Sequence, residues 1–168
     1  MRSIGHIQRM KNLKLENFRN HRHFELELGD LTILVGKNGV GKSNILESIV
    51  LLSSCRSYRE DRKINLINLE SEYARIVGDD LELFLSKTPQ FYMKARKAGV
   101  FKKLTDFVGL VPAVVFSPET ISIISGSPKE RRGFLDIMIS QIDREYLRAL
   151  IDYNKVRKQR NCLLKAIK

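Results

Sequence analysis

Residues 31–52 read LTILVGKNGVGKSNILESIVLL: an apolar run, a glycine-rich turn, a Lys-Ser pair and a second apolar run. The stretch 31–35 is continuously apolar and β-branched, the pattern of a strand covered on both faces. After the turn, 43–54 places apolar residues at Ile45, Leu46, Ile49, Val50 and Leu52, which predicts a helix packed on a sheet.

The turn itself, Gly36-Lys37-Asn38-Gly39-Val40-Gly41-Lys42-Ser43, fits the pattern G-x-x-x-x-G-K-[ST] without a mismatch. Glycines let the backbone take positive φ and aim successive N–H groups into the loop, where they wrap phosphate oxygens. The helix that follows adds its positive end to the same place. Lys42 is long enough to reach β- and γ-phosphates, and the Ser43 hydroxyl suits Mg²⁺. The expected ligand is therefore ATP with Mg²⁺, held by 36–43 and the adjoining Asn44. From ordinary residue usage the pattern arises by accident in under about 1% of chains this long. Its setting between a strand and a helix favours the real motif further.

Hydrolysis needs a second acidic group near the metal, usually an Asp that ends an apolar strand. ALID (149–152) and FLD (134–136) are the nearest approaches, but both lie on helical patterns and read as helix-surface carboxylates. Asp79 and Asp80, after Gly78, read as a hairpin turn. No LSGGQ-like segment is present, SGS (125–127) being a turn and a cap. The sequence therefore predicts a nucleotide grip without a catalytic residue of its own.

Around this centre, 11–18 and 24–29 alternate apolar with polar residues and predict a hairpin. The stretches 73–78, 80–86 and 91–96 predict an antiparallel meander, and AVVFSP (113–118) another buried strand. Ser127, Pro128 and Glu130 have the arrangement of a capping box that opens a helix. A last amphipathic helix follows Asp143, with Tyr146 and Tyr153 at helical spacing read as core. It is still amphipathic at Lys168, with no closing glycine or proline, as expected of a chain that continues.

The chain has 168 residues, 43% hydrophobic and 29% charged, enough for a packed core. Its longest apolar runs fall short of a membrane helix, and the N-terminus lacks a secretory signal. Cys55 and Cys162 are far apart without ligand spacing, which points to a reduced, cytoplasmic protein. The net charge of +11 favours polyanionic partners, and Lys129 to Lys168 supplies +6 of it.

LKLENFRNHRHFELEL followed by GKNGVGKSNILESI resembles the start of the RecF family, bacterial recombination-repair ATPases related to ABC-type and SMC heads. CRSYRED (55–61), VVFSPETISIISGSPKERRGFLDIMISQ (114–141) and YLRALIDYNKVRKQRNCLLK (146–165) are similar to further segments of that family, in the same order. Tyr58 stands where the family usually has His, and Thr120 where it usually has Asp. The resemblance implies an α/β fold: a P-loop ABC-type head lobe with an antiparallel meander over 10–118, and a partial helical lobe over 119–168. Residues 1–9 would be an N-terminal extension.

It also implies roles that spacing does not give. Arg19 and Asn20 would sit beside the nucleotide, Arg19 on the base or a phosphate unless it is a solvated turn. Glu119 is either a water-mediated Mg²⁺ contact or a first-turn carboxylate. Arg56, Ser57 and Arg59 would line the phosphates or DNA, or form a plain basic loop. For the complete protein the resemblance implies slow ATP hydrolysis, an ATP-dependent homodimer and double-stranded DNA binding near gaps. It further implies help from RecO and RecR in loading RecA during the SOS response to DNA damage. The alternatives are a nucleotide-gated binding module without turnover and another SMC- or ABC-like P-loop ATPase. The hairpin ahead of the loop argues against a nucleotide kinase.

Overall fold

A computed structural model describes residues 9–118 and 126–166. The predicted hairpin forms from β1 (Asn12–Phe18) and β2 (His21–Glu27). The predicted meander forms from β3 (Tyr73–Gly78), β4 (Leu81–Ser86) and β5 (Tyr92–Lys97), extended by β6 (Val100–Lys102). All pair antiparallel in one sheet of order β2-β1-β3-β4-β5-β6. Asp79 makes the β3–β4 turn with a φ of 51° and accepts from the backbone N–H groups of Lys11 and Asn12, both at 2.9 Å.

Strand alternation sorts this sheet into two faces. On the inner one Leu13, Leu15, Ala74, Ile76, Leu81, Leu83, Leu85 and Ala95 are each at most 1% exposed. Helix α1 (Lys42–Ser54) packs on β1, β3 and β4 and adds Leu51 and Leu52 to that core. Gly78 is where they meet most closely. A Cβ there would fall 2.8 Å from Leu52 Cδ1 and 2.7 Å from Met10 Cε. Helix α1 ends at Cys55, whose N–H reaches Leu51 O at 2.8 Å. Burial holds that thiol protonated, with its pKa pushed up to about 12. Beyond it a 3₁₀ turn (Lys63–Leu66) brings Leu66 and Ile67 against Phe18, and the single turn α2 (Leu104–Phe107) buries Phe107.

Two expected strands are not formed. Stretch 31–35 carries no strand pairing, and Leu31, Ile33 and Val35 are 81%, 74% and 89% exposed. Stretch 113–118 likewise pairs with no strand, with Val114 and Phe116 exposed. A continuous apolar run signals burial on both faces, but a strand exists only where a neighbour takes its N–H and C=O groups. The single sheet is filled by other segments, and no described residue pairs with either stretch.

The chain divides into two compact units at Val115/Phe116. In the second, α3 (Pro128–Ile142) starts with the predicted capping box of Ser127 and Glu130. Asp143 Oδ1 then caps α4 (Arg144–Ala166) by accepting from the N–H groups of Glu145 and Tyr146. Tyr146 is half-buried and donates to Asp136 Oδ1 at 2.5 Å, so Asp136 is more than a solvated charge. Tyr153, expected in the core, is exposed. No helix of the described residues is long and apolar enough to cross a membrane.

These exposures set two substitutions apart. Leu83→Ala should cost about 2–5 kcal/mol in urea unfolding, whereas Ile33→Ser should shift stability by no more than about 0.5 kcal/mol.

Candidate nucleotide-binding site

Gly39 and Gly41 take φ of 87° and 102°, so the loop relies on glycine at both positions. Gly41 is also hemmed in from outside. A Cβ there would lie 2.4 Å from His21 Nε2 and 2.6 Å from Asn20 Oδ1. The β1–β2 turn therefore clamps the loop. His21 Nε2 lies 3.1 Å from Gly41 O and must carry the proton, because a carbonyl only accepts. Asn20 Nδ2 donates to Gly39 O at 3.4 Å, and Asn44 Nδ2 donates to Asn20 Oδ1 at 2.8 Å.

Arg19 works one layer behind. Its Nε and Nη2 donate to both oxygens of Glu47, at 3.0 and 2.8 Å, and its Nη1 donates to Asn65 O at 3.1 Å. Glu47 is fully buried and accepts a third bond from the Ser57 hydroxyl. Those Glu47 hydrogen bonds raise the Arg19 pKa against the opposing effect of burial.

Above the loop lies a hollow of about 350 Å³ lined by Asn38, Gly39, Gly41, Lys42, Ser43, Asn44 and Arg59. It adjoins a larger one of about 1020 Å³ that shares Asn44 and Arg59 and includes Arg19, Asn20 and His21. Helix α1 opens into the first hollow. Gly41 is its N-cap, no side chain caps it, and no acidic residue lies in its first turn. The positive end of the helix is thus left without an anion from the chain. Lys42 Nζ donates to Gly36 O at 2.6 Å and Lys37 O at 2.8 Å, bonds that phosphate oxygens can replace. This donor set fits a polyphosphate.

Asn38, Gly39, Gly41, Lys42, Ser43 and Asn44 line the smaller hollow, Lys42 bonds to Gly36 and Lys37, and Asn20 bonds to Gly39 and Asn44. Arg19 lies outside the lining of the smaller hollow, engaged with Glu47. Of the basic loop, Arg59 reaches the site and donates to Asn44 Oδ1 at 3.2 Å, whereas Ser57 holds Glu47. Glu119 lies outside the described residues. No group of three or more His, Cys, Asp or Glu fit to hold a metal occurs among the described residues. Sequence reading missed His21 and Glu47. Adjacency to Asn20 in a tight turn could have flagged His21. Glu47 stood in line with Val50 and Leu51 on the face of α1 that is buried.

Loop, helix and clamp define a P-loop nucleotide-binding domain, and the chain belongs to the AAA ATPase domain family, whose pattern matches residues 9–152. Within that family it is similar to the DNA replication and repair protein RecF. It is 39% identical over 167 residues to RecF of Leptospira interrogans, covering 94% of this chain and 46% of that one. It is 37% identical to RecF of Clostridioides difficile, covering 95% and 45%. The chain thus spans about half the length of the curated relatives it matches. The solved structure of the recombination mediator protein RecF with ATP, of the RecFOR pathway, matches with a TM-score of 0.84 at 34% identity over 94% of this chain and 45% of that one. An SMC ATPase structure shares the fold at a TM-score of 0.60 and 20% identity, covering 78% of this chain and 99% of that one.

The clamp makes Gly41 the least replaceable loop position. Gly41→Ala should cost about 1–3 kcal/mol from backbone strain alone, and the clash with His21 adds to it. Thermal unfolding beside Gly39→Ala, whose added Cβ meets nothing within 4 Å, isolates the clamp's share.

Proposed function

We propose that the chain is the ATP-binding part of a RecF-like DNA repair protein of the cytoplasm. In this reading residues 10–118 form its ATP lobe, 119–168 the beginning of a helical lobe, and 1–9 an N-terminal extension. The uncapped N-terminus of α1, facing a hollow lined by Lys42, Ser43 and backbone amides, carries the reading. Lys42 would exchange the carbonyls of Gly36 and Lys37 for β- and γ-phosphate oxygens. Asn20 and His21 hold the loop in shape, so little reorganisation is needed when the ligand arrives. Ser43 would contribute its hydroxyl to Mg²⁺, which when bound neutralises and bridges the phosphate oxygens.

The lining of the hollow includes no carboxylate, which favours binding without turnover by these residues alone. Hydrolysis then belongs to the complete protein, with its second acidic group and signature segment lying outside this chain. The similarity to RecF supports the remaining steps as proposals. ATP-dependent dimerisation of two heads would favour binding of double-stranded DNA near gaps, where RecO and RecR take part in loading RecA. Exposed Leu31, Ile33, Val35, Val114 and Phe116 would be covered by strands of the complete protein.

A titration with a fluorescent ATP analogue and Mg²⁺ tests the site. Saturable binding that Lys42→Ala abolishes is the expected result. Equal affinity in both proteins would remove the assignment, and no binding in either would mean that the grip needs residues outside this chain.

A further inference from the structure

The clamp on the P-loop contains a histidine, and histidine is the side chain that ordinarily changes charge between about pH 5 and 8. His21 lines the larger hollow, its ring packs against Phe24 at 5.1 Å between centroids, and its Nε2 is committed to Gly41 O at 3.1 Å. Gly41 in turn lines the smaller hollow, so the imidazole stands one residue behind the place where phosphates would lie. A neutral imidazole that donates from Nε2 keeps a bare acceptor at Nδ1. No donor among the described residues meets that nitrogen, and the ring is only half-buried. It is therefore open to a proton from solvent without giving up the bond to Gly41 O.

The charges around the ring decide when an imidazolium is welcome there. On its own turn, Arg19 is held by Glu47 at 2.8 Å and by Glu60 at 3.7 Å, and Arg22 is paired with Glu70. His23 lies 3.5 Å from Glu25, which also holds Lys14 at 3.0 Å. From the P-loop and the loop after α1 come Lys42 and Arg59, bonded to backbone carbonyls and to Asn44 Oδ1, all neutral acceptors. Each of these acids already has a cation, and no carboxylate lies within ion-pair distance of His21 among the described residues. Without a ligand anion, a charged His21 would add to the unanswered charge of Lys42 and Arg59. A polyphosphate reverses that balance by bringing several negative charges to the hollow that Gly41 lines.

We propose that His21 is a positioning residue that links the nucleotide site to proton uptake: it is protonated as polyphosphate binds, so the grip tightens as pH falls. This coupling rests on nucleotide binding at the P-loop and adds a regulation to that site. One proton passes from solvent to Nδ1, the imidazole becomes imidazolium, and Nε2–H stays on Gly41 O, in a bond that is now charge-assisted. A ligand that favours the protonated form takes up a proton on binding and binds more tightly on the acid side. Lysine and arginine ordinarily keep their charge throughout this range, and a clamp that only shapes the loop gives no such slope.

Titration of the whole chain with the fluorescent ATP analogue and Mg²⁺ between about pH 6 and 8 tests it against His21→Gln, whose amide donates without titrating. The parent should gain about threefold more affinity than His21→Gln as pH falls over that range. Titration of the nucleotide's own phosphate is common to both proteins and drops out of the comparison. His23→Gln should keep the parent's slope. Nitrogen-15 NMR of the parent reads the step without a variant: of the three histidines, one should shift toward imidazolium when nucleotide is added. Equal slopes in the parent and His21→Gln beside binding that Lys42→Ala abolishes, or no histidine gaining charge on such binding, would overturn the proposal and leave the nucleotide site standing. Binding that Lys42→Ala leaves intact would remove the site, and the coupling with it.

Discussion

The buried pair of Glu47 and Arg19 is the constraint on which the site depends. A carboxylate with no exposed surface has lost its water, a cost of several kcal/mol that only well-placed donors offset. Here three donors come from two segments, two from the Arg19 guanidinium and one from Ser57. The pair therefore ties the β1–β2 turn and the loop after α1 to the helix that carries the P-loop. Arg19 also has a φ of 54°, a left-handed backbone that a non-glycine residue keeps only when its surroundings hold it. Its anchored side chain, the Arg19 N–H to Leu66 O bond and the Asn68 amide on Arg19 O provide that hold. From the turn that Arg19 anchors, Asn20 bonds to Gly39 O and His21 to Gly41 O. Arg19 thus lines the larger hollow beside the loop and also anchors the turn whose residues touch the loop.

What could be read in advance follows from how local each signal is. The P-loop pattern, the meander, the capping box at Ser127 and the long final helix are written in neighbouring residues, and each formed where expected. Burial at 31–35 and 113–118 is not local in that sense. Apolar β-branched composition states that a segment suits a sheet interior, but which strands lie beside it is information held elsewhere in a protein. Tyr153 misled for a related reason: helical spacing marks one face of α4, while what lies against that face is not written in the helix itself. Glu47 shows the limit from the other side. Its position on the apolar face of α1 was visible, but the partner 28 residues away that makes its burial tolerable was not.

The two faces of the sheet divide the chemistry of the first unit. The inner face is aliphatic and carries α1, so the P-loop helix rests on a dry, close-packed support that resists movement. Gly78 sharpens that support by letting Leu52 and Met10 sit directly on the backbone. The outer face alternates rings with charges and is linked to the inner one only through the pleat. A substitution at Phe101 or Lys94 therefore changes what the sheet presents without moving a residue of the core.

That separation matters for how the loop works. Lys42 is bonded to the carbonyls of Gly36 and Lys37, so its ammonium already lies folded over the loop that has to receive phosphate. Exchanging two carbonyl oxygens for phosphate oxygens replaces neutral acceptors with charged ones, which strengthens their attraction for the ammonium. The gain is kept only if the loop does not collapse when Lys42 leaves it. The clamp on Gly39 and Gly41 comes from the hairpin rather than from Lys42, so the loop keeps its shape whichever partner the lysine holds. A rigid sheet, a buried ion pair and a two-residue clamp together leave a single side chain to move.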